Sequence, residues 1–165
     1  MTHAYARNPT ALAPRMRPCI LPANWMPADF YIDKLHGVVC AKATGVFSRA
    51  DVLDFRVRLL RHPDFRPELN QLADYREITK MALSNAEVKD LATHAVFSPH
   101  SKRVFVVASD LQFGLSRMFG AYRQIVGDQE IKIFRTMAEA LSYLSLPAEP
   151  DPKLFKLLAP PGDEG

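Results

Sequence analysis

Four Ser/Thr-x-x-acid/amide signatures punctuate the chain: Ser48 with Asp51, Ser84 with Glu87, Ser109 with Gln112 and Thr136 with Glu139. Each opens an apolar run with helical spacing. A Ser or Thr at an N-cap accepts from the backbone N–H three residues on, and the acid or amide there reaches back to the cap's own N–H. Asp51 is shorter than the usual Glu or Gln, so the Ser48 signature is the weakest. Short apolar strands stand between these helix starts. Strands separated by single helices must run parallel, with right-handed crossovers. The expectation is an α/β fold: a single-layer, five-stranded mixed sheet, parallel except at an opening hairpin, with about four helices in the order β-β-α-β-α-β-α-β-α.

The prolines trim the domain. Ten of the thirteen lie no later than position 27 or from 147 onward. Proline lacks the amide donor that helices and sheets need, so the sequence predicts a disordered Pro-rich arm over 1–25 and a Pro-rich tail over 148–165. A domain over 26–147 remains, and a chain that is 48% hydrophobic has the material for its core. Residues 1–25 carry +3, 147–165 carry −2 and the stretch between only +2. A nucleic-acid reader concentrates positive charge on its folded part, so this balance argues against one. Cys40 sits in an apolar strand and Cys19 in the arm, which implies no disulfide framework and fits a reducing cytoplasm. No stretch approaches the ~20 apolar residues of a membrane span, and the N-terminal arginines lack the apolar segment of a signal peptide.

Along the chain, Phe30–Ile32 and Val38–Ala41 read as a hairpin turning through Asp33, Lys34, His36 and Gly37. A helix from Ser48 to about His62 turns Val52, Phe55, Leu59 and Leu60 inward, and Phe65 anchors the loop after it. A short strand near Gln71–Asp74 leads into a connection over Tyr75–Leu83. The next helix carries Val88, Leu91, Ala92, Ala95 and Val96 on one stripe. Arg103–Ala108 is a β-branched run of the kind buried on both faces of a parallel sheet. The third helix, Asp110 to about Val126, buries Leu111, Leu115, Met118, Phe119, Tyr122 and Ile125, and Gly127 supplies its left-handed C-cap. Ile131–Phe134 and Thr136–Leu144 complete the order.

Several phrases resemble a known group of proteins: Tyr31-Ile32-Asp33 with Gly37-Val38-Val39, His62-Pro63-Asp64-Phe65, Asp74-Tyr75-Arg76-Glu77, Phe97-Ser98-Pro99, and Ser109-Asp110-Leu111 with Gly114-Leu115-Ser116-Arg117-Met118. With the element order, they are similar to the SpoIIAA-like (STAS, anti-sigma-factor antagonist) superfamily, in particular to a bacterial subgroup of stand-alone domains. The resemblance implies a small non-enzymatic domain that binds proteins or small ligands. Signalling members are phosphorylated on a serine in an Asp-Ser-x-Gly-like turn after the third strand. Here that place reads Asp74-Tyr75-Arg76-Glu77, without the Ser or the Gly, so no site residue carries over.

Candidate chemistry is sparse. Ser84 is the serine near the switch position, and a phosphate at a helix N-terminus meets free N–H groups; the favoured reading is a plain N-cap. Helix starts beyond the carboxyl ends of parallel strands form the usual ligand crevice, which makes Arg76, Ser109 and Asp110 a speculative site for an anion. The bland alternative has Ser109 capping its helix and Arg76 pairing with Asp74. Phe113, Gly114 and Arg117 offer a candidate partner or self-association face. The histidines show no metal-ligand spacing, Cys40 reads as a core residue, and no cofactor is called for. The expected function is a cytoplasmic, non-enzymatic binding or regulatory module that works through a protein partner or a dimer. The alternative is a carrier or sensor of a small anionic or lipidic ligand at the strand ends. An enzyme would require Asp74, Arg76, His94 or His100 to share one cleft.

Overall fold

The computed structural model describes residues 27–148. The expectations for the N-terminal arm, Cys19 and the Pro-rich tail from 149 onward lie outside the described residues. Asp33 sets the first reversal: its carboxylate accepts from the backbone N–H of Leu35 and His36 at 2.9 and 3.1 Å and meets His36 Nδ1 at 2.6 Å. Gly37 follows with φ +65°, which glycine adopts freely. This turn joins β1 (Ala28–Asp33) to the antiparallel β2 (Val38–Ser48).

The chain then alternates helix and strand: α1 (Arg49–Arg61), β3 (Asn70–Ala82), α2 (Asn85–Thr93), β4 (Arg103–Val106), α3 (Asp110–Gly127), β5 (Ile131–Phe134) and α4 (Met137–Tyr143). The sheet order is β1-β2-β3-β4-β5, with every pair after the first parallel. The five-stranded mixed sheet and four helices match the expected architecture. Because strand order rises monotonically, right-handed crossovers put α1, α2 and α3 on one face. The other face is left to α4, which packs on Val38, Cys40, Leu72, Val104 and Val106.

The helix starts behave as capped. Ser84, Ser109 and Thr136 accept from the N–H of Glu87, Gln112 and Glu139 at 3.2, 3.2 and 3.3 Å. At Ser48 only the reverse half forms, the Ser48 N–H donating to Asp51 at 2.7 Å. Gln112 does more than cap. Its Oε1 accepts from Ala108 N–H at 2.8 Å while its Nε2 donates to Ile78 O at 3.1 Å, tying α3 to β3.

Four local expectations are corrected. The strands β2 and β3 run on past Ala41 and Asp74 as a two-stranded ribbon, so Tyr75–Ala82 is strand rather than connection. Register shifts between Lys42 and Thr44, and again between Gly45 (φ +66°) and Val46, break the alternation that marks a strand. On α1, Leu59 takes the inner position and Leu60 is exposed. The left-handed cap of α3 is Asp128 at φ 48°, one residue beyond Gly127. On α3 the phase also differs: Leu111 and Ile125 are 61% and 79% exposed, whereas Gln112, Ser116 and Arg123 are buried. The helix turns a partly polar stripe toward the sheet.

Candidate functional site

That polar stripe borders a cavity of about 90 Å³ between the sheet and helices α1, α2 and α3. Its floor is an aromatic row on the helix-covered face of β2, β3 and β4. Phe47, Tyr75 and Phe105 follow one another at ring separations of 5.6 and 5.2 Å, and Phe119 of α3 extends the row at 6.0 Å. Val52, Val88, Leu91 and Leu115 close the helical side. The walls are mainly apolar, and the polar groups that border the void are Lys42, Arg56, Gln71, Tyr75, His94, Arg103 and Ser116. A largely apolar hollow with a few fixed polar groups is the usual form of a small-molecule site.

Arg103 is the central group. It opens β4 opposite Gln71 on β3 and is only 8% exposed. Its Nε donates to Gln71 Oε1 at 2.8 Å and its Nη1 to Gln129 Oε1 at 3.2 Å. The rings of Phe97, Phe105 and Phe119 surround the guanidinium at 5.0, 5.5 and 5.5 Å from their centroids. No carboxylate pairs with it among the described residues. Burial pulls the guanidinium down to about 9, so it stays charged at neutral pH.

Two further cations, the buried Arg123 and the half-buried Arg56, serve the end of α2. Arg56 Nη2 donates to Leu91 O at 2.7 Å and Arg123 Nη1 to Ala92 O at 2.8 Å. Both carbonyls belong to the last turn of α2, where a helix exposes unpaired oxygens and the negative end of its dipole. Arg123 also donates from Nε to Gln129 Oε1 at 3.3 Å. Burial lowers both guanidinium pKa values. Tyr75 lies beside Arg56 and Arg103; burial raises its phenol while the charge of Arg103, then that of Arg56, pulls the other way.

The residues singled out from the sequence sit elsewhere. Arg76 makes a two-pronged pair with Asp74, Nε to Oδ1 at 2.9 Å and Nη2 to Oδ2 at 2.8 Å. By strand alternation from Leu72 this pair lies on the α4 face. Ser109 is engaged in its cap, and Asp110, with a 98% exposed side chain, pairs with Arg135 at 2.6 Å. None of the three lines the cavity. Ser84 caps α2. Phe113 and Arg117 flank a shallow groove against β5, where Arg135 stands 4.8 Å over the Phe113 ring and a side chain at Gly114 would meet open space. His94 lines the cavity, while Asp74, Arg76 and His100 do not, so those four share no cleft. Cys40 is buried beneath α4, and burial pushes its thiol up to about 12. Among the described residues no group of three or more His, Cys, Asp or Glu could hold a metal ion, and no helix is long and apolar enough to cross a membrane.

Arg56, Tyr75, Arg103 and Ser116 escaped the sequence reading. Two signals pointed to them. Arg103 heads an otherwise apolar strand, and Gln112, Ser116 and Arg123 repeat at helical spacing on α3.

A solved structure shares this architecture. The protein, from Shewanella loihica PV-4, is described as an uncharacterised member of the DUF3478 family with a SpoIIAA-like fold. It is 21% identical to this chain, aligned over 75% of this chain and 98% of its own, with a TM-score of 0.50. The fold here is SpoIIAA-like. No family model and no curated protein matches the chain. The Asp74-Tyr75-Arg76-Glu77 phrase lies inside β3, with Asp74 paired to Val106 of β4.

Proposed function

We propose that this SpoIIAA-like domain is a non-enzymatic binding module whose ligand is a small molecule held in the cavity between the sheet and α1–α3. The observation that carries the reading is a hollow of about 90 Å³ bordered by polar groups with unused capacity. Every fully enclosed side-chain nitrogen and oxygen among the described residues is hydrogen-bonded. Among the described residues neither the Ser116 hydroxyl nor Arg103 Nη2 has a hydrogen-bond partner, so both border accessible space. Close-packed interiors rarely keep such space beside a charge. The size matters too: at about 15 Å³ of cavity volume per water, about 90 Å³ takes about six water-sized groups, which suits a compact molecule. The ligand site thus moves from the strand ends around Arg76, Ser109 and Asp110 to the helix-covered face.

The test is saturable binding of small probes to the purified protein, followed by amide chemical shifts. Shifts centred on β4, α3 and the α2 C-terminus support the reading. No saturable response to any neutral or anionic probe of four to six heavy atoms contradicts it.

A second reading rests on α3. Leu111, Ile125 and Val126 are exposed on its outer side, which suits a protein partner beside the Phe113–Arg117 groove. The buried, unpaired Cys40 suits a cytoplasmic setting.

A further inference from the structure

The reading of the cavity as a small-molecule site can be carried to the class of ligand. We infer that the cavity takes a short-chain carboxylate, with its carboxyl group against Arg103 and its hydrocarbon body against the aromatic row.

The charge of the wall comes first. Its ionic and titratable members are Lys42, Arg56, His94, Arg103 and Tyr75, and among the described residues no Asp or Glu lines it. Lys42 is answered by Glu77 at 2.6 Å, and Arg56 by the carbonyl of Leu91. Among the described residues Arg56 and Arg103 both have uncharged partners, but Arg56 is half-buried, whereas the buried Arg103 has only two glutamine oxygens and three rings. A buried charge needs an opposite charge or a dense set of hydrogen bonds, and Nη2 makes none.

The rest of the wall narrows the anion. An inorganic phosphate or sulfate needs polar groups on all sides. Here Phe47, Phe105, Phe119, Leu91 and Leu115 offer nothing to such an ion and much to methylene groups. Arginine presents a planar fork that matches a carboxylate. The Ser116 hydroxyl, also buried, adds a donor from α3. At about 15 Å³ of cavity volume per water-sized group, the void of about 90 Å³ takes a body of about six heavy atoms. Butyrate has this size.

The test compares sodium butyrate, butyramide and inorganic phosphate as probes of the full-length protein, read by amide chemical-shift titration at constant ionic strength. The expected result is saturable butyrate binding, with butyramide at least tenfold weaker and phosphate without effect on β4 and α3 amides. Equal binding of butyrate and butyramide overturns the carboxylate inference and leaves the small-molecule reading standing. Absence of binding by all three overturns the inference, and extending the panel to neutral apolar probes then decides the reading itself. Arg103→Met should abolish the preference for butyrate over butyramide. Ser116→Leu, which fills the void and keeps the charge, should weaken both organic probes together. Preserved butyrate preference in folded Arg103→Met also overturns the inference.

Discussion

Replacing Arg103 by methionine should stabilise the ligand-free protein. Burial brings the guanidinium from 12.5 to about 9, which at about 1.4 kcal/mol per pH unit puts the cost of keeping it charged at up to about 5 kcal/mol. Three ring contacts return about 2 kcal/mol together, and the bonds to the two glutamines about 2 more. The charge is then a net burden of about 1 kcal/mol, and a thioether among Phe97, Phe105 and Phe119 adds about 1 kcal/mol of sulfur–aromatic contact. Gln129 Oε1 keeps Arg123 and its Nε2 keeps Ser98 O, so mainly Gln71 loses a partner. The expected gain is about 1–2 kcal/mol, or roughly 4–8 °C in Tm for a domain of this size, read by urea or thermal denaturation followed by circular dichroism. The folded-state pKa of Arg103 lies below its unfolded value. Its penalty is therefore complete below about pH 9 and fades as pH rises above that. The stability gap between variant and wild type should narrow from pH 8.5 to 10.5. A loss of 2 kcal/mol or more in Arg103→Met would refute the reasoning, because the guanidinium would then be a structural keystone already satisfied by its cage.

Three other perturbations check the surrounding account. Gly45→Val puts a β-branched residue at φ +66° in open space, so strain alone should cost about 1–2 kcal/mol of stability, measured by urea denaturation. Asp33 is lowered in pKa: burial raises it, but the hydrogen bonds and charge of His36 and the Leu35 amide outweigh that. Its contribution is present above the unfolded value of about 4 and lost as pH falls through the lowered folded-state value, so Asp33→Asn should be less stable than wild type at pH 6 and the gap should shrink as the medium is acidified below that value. Ile125→Asp, at a position 79% exposed, should leave Tm within about 1 °C while reducing any self-association seen by analytical ultracentrifugation; a fall of several degrees would mean that Ile125 is packed.

Much of the fold was legible because capping and periodicity are local. Ser84, Ser109 and Thr136 mark the starts of three helices, and Val104–Val106 declares its burial by composition alone. The β2–β3 ribbon was less legible, because Gly45 and the shifts around it interrupt the period of two and one ribbon face carries Lys42, Thr44 and Lys80. The phase of α3 misled for a more informative reason. Hydrophobic periodicity points Leu111 and Ile125 inward, yet the sheet-facing side holds Gln112, Ser116 and Arg123. Gln112 caps the helix and ties it to a strand, Ser116 walls the cavity, and Arg123 satisfies a carbonyl at the end of α2. Periodicity assumes that inward means apolar, and it fails where the interior is built to hold something polar. The candidate site was illegible for the same reason. Arg103 and Tyr75 are far apart in sequence from Ser116 and Arg56, and only the stacking of α1, α2 and α3 on one face brings them together.

A crystal structure grown with saturating butyrate tests the central claim most directly. The account predicts a carboxylate within hydrogen-bond distance of Arg103 Nη2 and Ser116 Oγ, with its chain lying over Phe105 and Phe119. Water alone in the cavity, or a carboxylate of this same chain reaching in to meet Arg103, would contradict it.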